Sequence, residues 1–229
     1  MAITVTAYTN FGASATQIDV TSVVVAAGDR IIMGVGHGGT SSSAFAGAWD
    51  PTGVNEVIAV LHTGTQGAGA TSSEYWVGEL VVPSAGTFTA RASWTTAANA
   101  AVNVLVIHGA DTTVAGNTAT GTAADGTPTV TIASATGRMT YTLGCVRDST
   151  ITISSDGDST RKGEITSGSG ASHARIWWWE EAGSASVTVS GTLSTAPTSG
   201  TWRLRGYDFI AASTTSRSVF TTNARRFGS

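Results

Sequence analysis

The sequence predicts an all-β protein, an antiparallel jelly-roll-like β-sandwich built from two similar halves, with extended N- and C-terminal arms. Three observations predict it. Apolar residues alternate with Thr, Ser and Asp in short runs such as Ile3-Thr4-Val5-Thr6, Ile18-Asp19-Val20-Thr21 and Val187-Thr188-Val189. A period of two marks a strand with one face buried and one wet. Turn-forming clusters separate the runs: Gly28-Asp29, Pro51-Thr52-Gly53, Asp125-Gly126 and Asp156-Gly157. Finally, the chain nearly repeats itself. Val23-Val24-Val25 leads through Gly28-Asp29-Arg30 into Ile31-Ile32-Met33-Gly34, and Val130-Thr131-Ile132 leads through Gly137-Arg138 into Met139-Thr140-Tyr141-Thr142.

Taken in order, the elements follow that grammar. Glu74 to Glu79 is centred on Trp76 and is followed by the alternating run Gly86 to Trp94. In the second half Ile176 to Glu181 is centred on three tryptophans and is followed by Ser186 to Leu193. Asn55 to His62 and Val102 to His108 are more continuously apolar, as central strands are. Thr96-Ala97-Ala98-Asn99-Ala100-Ala101 is rich in a helix former but too short to nucleate a helix unaided, so it is expected as a loop entering the Val102 strand. The near-repeat halves span about 17–110 and 125–212 within a body of residues 1–213. Residues 214–229 carry Arg217, Arg225 and Arg226, no acid and no sustained period, and are expected as an extended arm.

Composition narrows the function. The 229 residues carry a net charge of −3, so no basic field holds nucleic acid. Charged residues are only 12% of the chain, and Lys162 is the sole lysine among 12 basic residues. Arginine suits interfaces, whereas surface lysine blunts sheet edges. That imbalance predicts a surface partly covered by neighbours. Cys145 stands alone and is expected as a small core residue. Neither a leader pattern at the N-terminus nor an apolar run of membrane-spanning length is present in the sequence, so no membrane partner is expected.

The search for chemistry returns little. Gly34-x-Gly36-x-x-Gly39 has the spacing of a dinucleotide fingerprint, but Thr40-Ser41-Ser42-Ser43 follows it where a helix should start. His37, His62, His108 and His173 share no metal-pair spacing. Asp156, Asp158 and Glu164 offer oxygens to a hard cation, but Arg161 and Lys162 intrude. Glu180 and Glu181 are adjacent, so on a strand they face opposite ways. No catalytic residue, cofactor or metal is therefore expected. Trp177-Trp178-Trp179 is the loudest local signal. On a strand Trp178 faces one way and its neighbours the other, which leaves three readings: a subunit contact, burial on both faces between sheets, or a glycan platform of Trp177, Trp179 and Trp49.

The succession of a Gly-Asp-Arg turn, an apolar strand, a Trp-centred strand, Gly86-Thr87-x-Thr89-x-x-x-x-Trp94 and a strand closing on Gly109-Ala110-Asp111-Thr112-Thr113 resembles the Thr/Gly/Ala-rich jelly-roll-like domains of tailed-phage structural proteins. The resemblance covers most of residues 17–212. It implies a non-enzymatic virion protein, most simply a capsid decoration protein assembled in the host cytoplasm. Its partners would be further copies of itself, as a trimer or hexamer, and other virion proteins such as the major capsid protein. The arms Met1–Phe11 and Thr214–Ser229 would then make contacts, with Phe220, Arg225, Arg226 and Phe227 as anchors. The alternative is a glycan-binding module of a tail fibre or spike, with a host surface glycan as partner.

Overall fold

A computed structural model of the chain describes residues 2–38, 45–50, 53, 56–66, 73–112, 116–155, 160–170, 172–197 and 201–212, with backbone alone for 60–66, 73–74 and 161. These residues form fourteen strands paired antiparallel. The first six are β1 (Thr4–Val25), β2 (Arg30–Gly38), β3 (Ala46–Trp49), β4 (Glu56–Gln66), β5 (Ser73–Val81) and β6 (Gly86–His108). The other eight are β7 (Thr118–Ala123), β8 (Thr129–Ala133), β9 (Met139–Arg147), β10 (Ile153–Ser155), β11 (Thr160–Thr166), β12 (Ala174–Ala182), β13 (Ser186–Leu193) and β14 (Trp202–Phe209).

The strands after residue 117 make two sheets, β11-β12-β9-β14-β7 and β10-β13-β8. Within that unit the eighth strand lies between the first and third, and the seventh between the second and fourth. This is the winding of a jelly roll. The first unit repeats it with fewer, longer strands. β1 and β6, of 22 and 23 residues, each run through both sheets. Their order is β1-β6-β2-β5-β4-β3, and a further β6–β3 pairing closes the sheet on itself. The molecule is thus a pair of jelly rolls.

Two expectations change. Thr96–Ala101 is not a loop but the middle of β6, pairing with β1 at Ala98↔Ala15 and Ala100↔Gly12 and with β2 at Ala100↔His37. Ladder bonds on both sides override a weak local preference for helix. The N-terminal segment is not a free arm either: Thr4–Phe11 pairs with His108–Ala101. The long strands turn from one sheet to the other at bulges, where β1 shifts register between Gly12 and Gln17 and Ser14 has φ 49°. The Ser14 amide donates to Asn99 Oδ1 at 3.2 Å, and the Trp94 indole donates to the Ala15 carbonyl at 2.8 Å. Backbone groups that the bulge removes from the ladder are thereby satisfied.

The units match in detail. The turn from β1 to β2 and the turn from β8 to β9 both hold a glycine at φ 84°, Gly28 and Gly137. In each turn an amide closes back at 3.1 Å, Asp29 to Ala26 and Arg138 to Ala135. The residue after β5, Val82, and the residue after β12, Gly183, then bond those same turns.

Three apolar cores result among the described residues. Val23, Val35, Trp49, Trp76 and Val102 fill the first unit; Ile132, Val146, Trp177, Trp179 and Leu204 fill the second. The third core lies between the units and joins them through Ile32, Tyr75, Leu105 and Ile107 on one side and Tyr141, Leu143, Ile176, Tyr207 and Phe209, on the five-stranded sheet, on the other. By register, Tyr141 stands in the second unit where Ile32 stands in the first, and Tyr207 and Phe209 where Leu105 and Ile107 stand. Both units therefore contribute the same surface, as the subunits of a two-fold dimer do. Even the contacts at the centre are between equivalent positions. A Cβ on Gly34 would lie 3.2 Å from Leu143, and one on Gly36 2.8 Å from Cys145 Sγ. Side chains of the second unit fill space that glycines leave in the first. At the margin, Ala110 and Ala211, each just past the last strand of its unit, form an antiparallel bridge.

Candidate functional site

The tryptophans expected as a platform are core residues. Trp177 and Trp179 are 0% exposed and Trp49 is 1% exposed. β12 belongs to a sheet covered on both faces, by the three-stranded sheet on one side and by the first unit on the other. Trp177 and Trp179 point into the second unit's core, with rings 5.9 Å apart and tilted by 52°. Trp178 points into the seam between units. Trp49 packs on Phe88 at 5.3 Å in the first unit's core. Of the three readings of the triplet, burial on both faces is the one found, and the glycan platform and the subunit contact are overturned there. The run Ala174-Arg175-Ile176-Trp177-Trp178-Trp179 carries one polar residue in six. That continuous apolar character was the available sign of a doubly covered strand.

The polar residues singled out by sequence are structural where they are described. Gly34 and Gly36 lie within β2, where they allow close approach of the second unit, and Gly39 lies outside the described residues. Glu164 pairs with Arg175 at 2.6 Å, while Asp156 and Asp158 lie outside the described residues. Among the described residues no three His, Cys, Asp or Glu side chains come together to hold a metal. Glu180 accepts the Tyr141 hydroxyl at 2.6 Å and pairs with Lys162 at 2.9 Å. Burial, followed by that carboxylate, pushes the Tyr141 phenol well up. His37 is buried edge-on against Phe45 and Trp94. The side chain of His62 is outside the described set. Cys145 is a buried free thiol in the seam.

Sequence reasoning missed a chain of polar contacts. His108 Nδ1 lies 2.8 Å from Asp29 Oδ2, and His108 Nε2 lies 3.4 Å from Thr6 Oγ1. The order of groups is that of a hydrolase triad. Yet Thr6 sits within the ladder opposite Val106, and Asp29 Oδ2 also accepts the Ala26 amide at 2.6 Å. These bonds tie the β1–β2 turn to the end of β6. In the second unit Asp208, 1% exposed, plays the same part with other chemistry, accepting Ser134 Oγ at 2.6 Å and Arg138 Nη1 at 2.7 Å.

One exposed feature with functional character is a sheet edge. Among the described residues β1 is bonded to β6 alone, so its other edge is open. The stretch Thr4-Val5-Thr6-Ala7-Tyr8-Thr9-Asn10-Phe11 holds no charge, no Pro and no Lys, the residues that guard such edges elsewhere. β1 also carries two of the exposed large apolar side chains, Phe11 at 59% and Val24 at 54%. The body of the chain ends beside it: the Ala212 amide donates to the Gly109 carbonyl at 2.8 Å, one residue past His108, which pairs with Thr4. The expected anchors Phe220, Arg225, Arg226 and Phe227 lie outside the described residues.

No family model matches the chain, and no curated protein matches it. A solved structure that aligns is the X-ray structure of Melon necrotic spot virus, at 9% identity and a TM-score of 0.24, over 93% of this chain and 100% of that one. At that score the alignment carries no argument about fold or function. The chain's architecture stands on its own strand order, as an all-β pair of antiparallel jelly rolls.

Proposed function

We propose that this chain is a non-enzymatic virion structural protein of a tailed phage, acting as a capsid decoration protein that stabilises the particle through contacts between subunits. The observation that carries the proposal is the open, uncharged β1 edge with the end of the body emerging beside it. An unguarded edge offers unpaired amides and carbonyls to another strand, and strand addition is a recurrent way for proteins to dock. The described body ends at Ala212, near the Thr4 end of that edge, and the sequence beyond it is β-compatible at Val219, Phe220 and Thr221. We assign it to the edge of a neighbouring copy, with Phe220, Arg225, Arg226 and Phe227 as the anchors, so that linked copies sit together on the capsid protein beneath. Many modest contacts repeated over a shell multiply through avidity. The strand grammar shared with tailed-phage structural proteins points to the same role.

Co-sedimentation with capsids that lack the protein tests this reading. The full chain is expected to saturate the particles, and a chain ending at Ser213 to lose most of its occupancy. Equal occupancy of the two would refute the role of the arm. Hydrolysis of capsule polysaccharide or peptidoglycan by the purified chain would refute the non-enzymatic reading.

A further inference from the structure

An open sheet edge takes a further strand unless something guards it, and charge and shortness are guards of that kind. β11, at one end of the second unit's larger sheet, carries Arg161, Lys162 and Glu164, and β7, at the other end, is only six residues long. β1 has neither guard over Thr4–Phe11, but its own side chains close part of its edge. The Val24 amide donates to the Tyr8 hydroxyl at 3.2 Å, and Asn10 Nδ2 donates to the Asp19 carbonyl at 2.7 Å. The first half of β1 thus caps backbone groups of its second half and interrupts the edge over Asp19–Val24.

The remaining edge has a defined length. Along a paired strand the amides and carbonyls of alternate residues point to opposite sides. The Phe11 amide turns to Asn10 Oδ1, at 2.9 Å, and so marks the outward set. Pairing with β6 runs without a register shift from Thr4↔His108 to Gly12↔Ala100. Val5, Ala7 and Thr9 therefore face outward with Phe11, while Thr4, Thr6, Tyr8 and Asn10 face β6. The Phe11 amide is already capped by its neighbour. What is left is the backbone of Val5, Ala7 and Thr9, and among the described residues no strand pairs with β1 on that side. Three outward residues accommodate an added strand of about five or six residues.

Both faces of such a strand have something to cover. Val5 packs toward the seam and Tyr8 toward the first unit's core, so by period two Ala7 and Phe11 lie on the seam face. Ala7 is small and exposed, and Phe11 is 59% exposed. The chain itself supplies a match. The run Ser218-Val219-Phe220-Thr221-Thr222-Asn223, between Arg217 and Arg225, holds no charge, no Pro and no Gly. As a strand it sets Phe220 on one face and Val219 on the other. Only residues 213–217 separate it from Ala212, whose amide bonds Gly109 near the start of β1.

We propose that the backbone of Val5, Ala7 and Thr9 is a strand-addition site and that Ser218–Asn223 of a second copy is the strand it takes. The proposal rests on the assignment of the arm to the β1 edge and narrows it: Asp19–Val24 takes no part, and Arg225 and Arg226 lie beyond the added strand.

The test is residue-resolved amide exchange of the full chain by NMR, at concentrations where sedimentation shows monomer and where it shows assembly. Protection of the Val5, Ala7 and Thr9 amides is expected to rise about tenfold or more on assembly. The Thr6 and Tyr8 amides, bonded to β6, are expected to stay protected throughout. Ala7→Pro removes an amide that the β6 ladder does not use, a place where an edge strand tolerates Pro. That variant is expected to stay folded and to assemble about tenfold more weakly or worse. Ala7→Ser keeps the amide and is expected to assemble as the wild type does. Assembly with the three amides unprotected overturns the proposal and leaves the association of copies standing, as does an Ala7→Pro chain that folds and assembles normally. Protection of the three amides in a chain that stays monomeric, lost on truncation at Ala212, puts the strand on its own chain and overturns the second copy as its source. Neither assembly nor protection overturns both the proposal and the reading it rests on. If Ala7→Pro does not fold, the exchange pattern of the wild type decides.

Discussion

At the scale of single residues the molecule's polar groups brace the fold. Trp177 shows how a loud sequence signal resolves. Its apolar neighbours announced burial, but a strand's own sequence does not say what lies over each face; that depends on a sheet formed by residues far along the chain. Trp177→Ala is expected to cost about 3–5 kcal/mol, the usual toll for emptying a large aromatic site, measured by urea unfolding. Iodide, which reaches only exposed indoles, is expected to quench little of the native fluorescence. Asp125 gives a pH-dependent counterpart. The Trp202 indole donates to Asp125 Oδ1 at 2.9 Å and the Thr127 amide at 3.0 Å. These bonds, the indole's first, hold the carboxyl below its ordinary value. A carboxyl depressed in the folded state stabilises above its unfolded pKa, and that gain fades as pH falls through the folded value. The gap in Tm between the wild type and Asp125→Asn is therefore expected to be constant near neutrality. It should begin to close below about pH 4 and vanish at lower pH. A gap that widens toward acid would contradict this.

At the scale of elements, legibility followed the source of the stabilising interactions. The β1–β2 and β8–β9 turns were readable because Gly28 and Gly137 are required locally. Both hold a positive φ, which costs an L-residue roughly 1–2 kcal/mol. Gly28→Ala and Gly137→Ala are expected to destabilise by about that amount each, and by similar amounts, because the turns are equivalent. Denaturant midpoints check both size and parity. Thr96–Ala101 was not readable as a strand, and of Thr4–Phe11 only the alternation at its start was, because bonds to partners many residues away hold both in place. Pattern alone gave an Ala-rich run and a terminal segment. The seam was hidden for the same reason: Gly34 and Gly36 resembled part of a phosphate loop, and only the second unit reveals why they lack side chains. Gly36→Leu would press on Cys145 and Ile176. It is expected to cost about 1–3 kcal/mol as overpacking, and the loss should shrink when Cys145 is also reduced to Ala, as coupling across the seam requires.

At the scale of the whole molecule, two units of like strand order make the scaffold. The repeat itself was visible as two passages of strand, turn, strand and aromatic strand. That the copies pack by their equivalent faces was not, because Ile32 and Tyr141, or Leu105 and Tyr207, match in place and not in chemistry. What the second unit does not duplicate is the single long strand: β7, which stands where the first part of β1 stands, also ends its sheet bonded to β14 alone among the described residues, but it is six residues long against the 22 of β1. The central claim is that the open edge, together with the segment after Ala212, joins copies of the chain. Sedimentation velocity of the full chain over a hundredfold range of concentration tests it most directly. The account predicts a species at a multiple of the 23.1 kDa chain mass, reverting to monomer in a chain ending at Ala212 and weakened in Phe11→Lys, with both variants folded by circular dichroism. A full chain that stays monomeric throughout, or a truncated chain that associates as well as the full one, would contradict it.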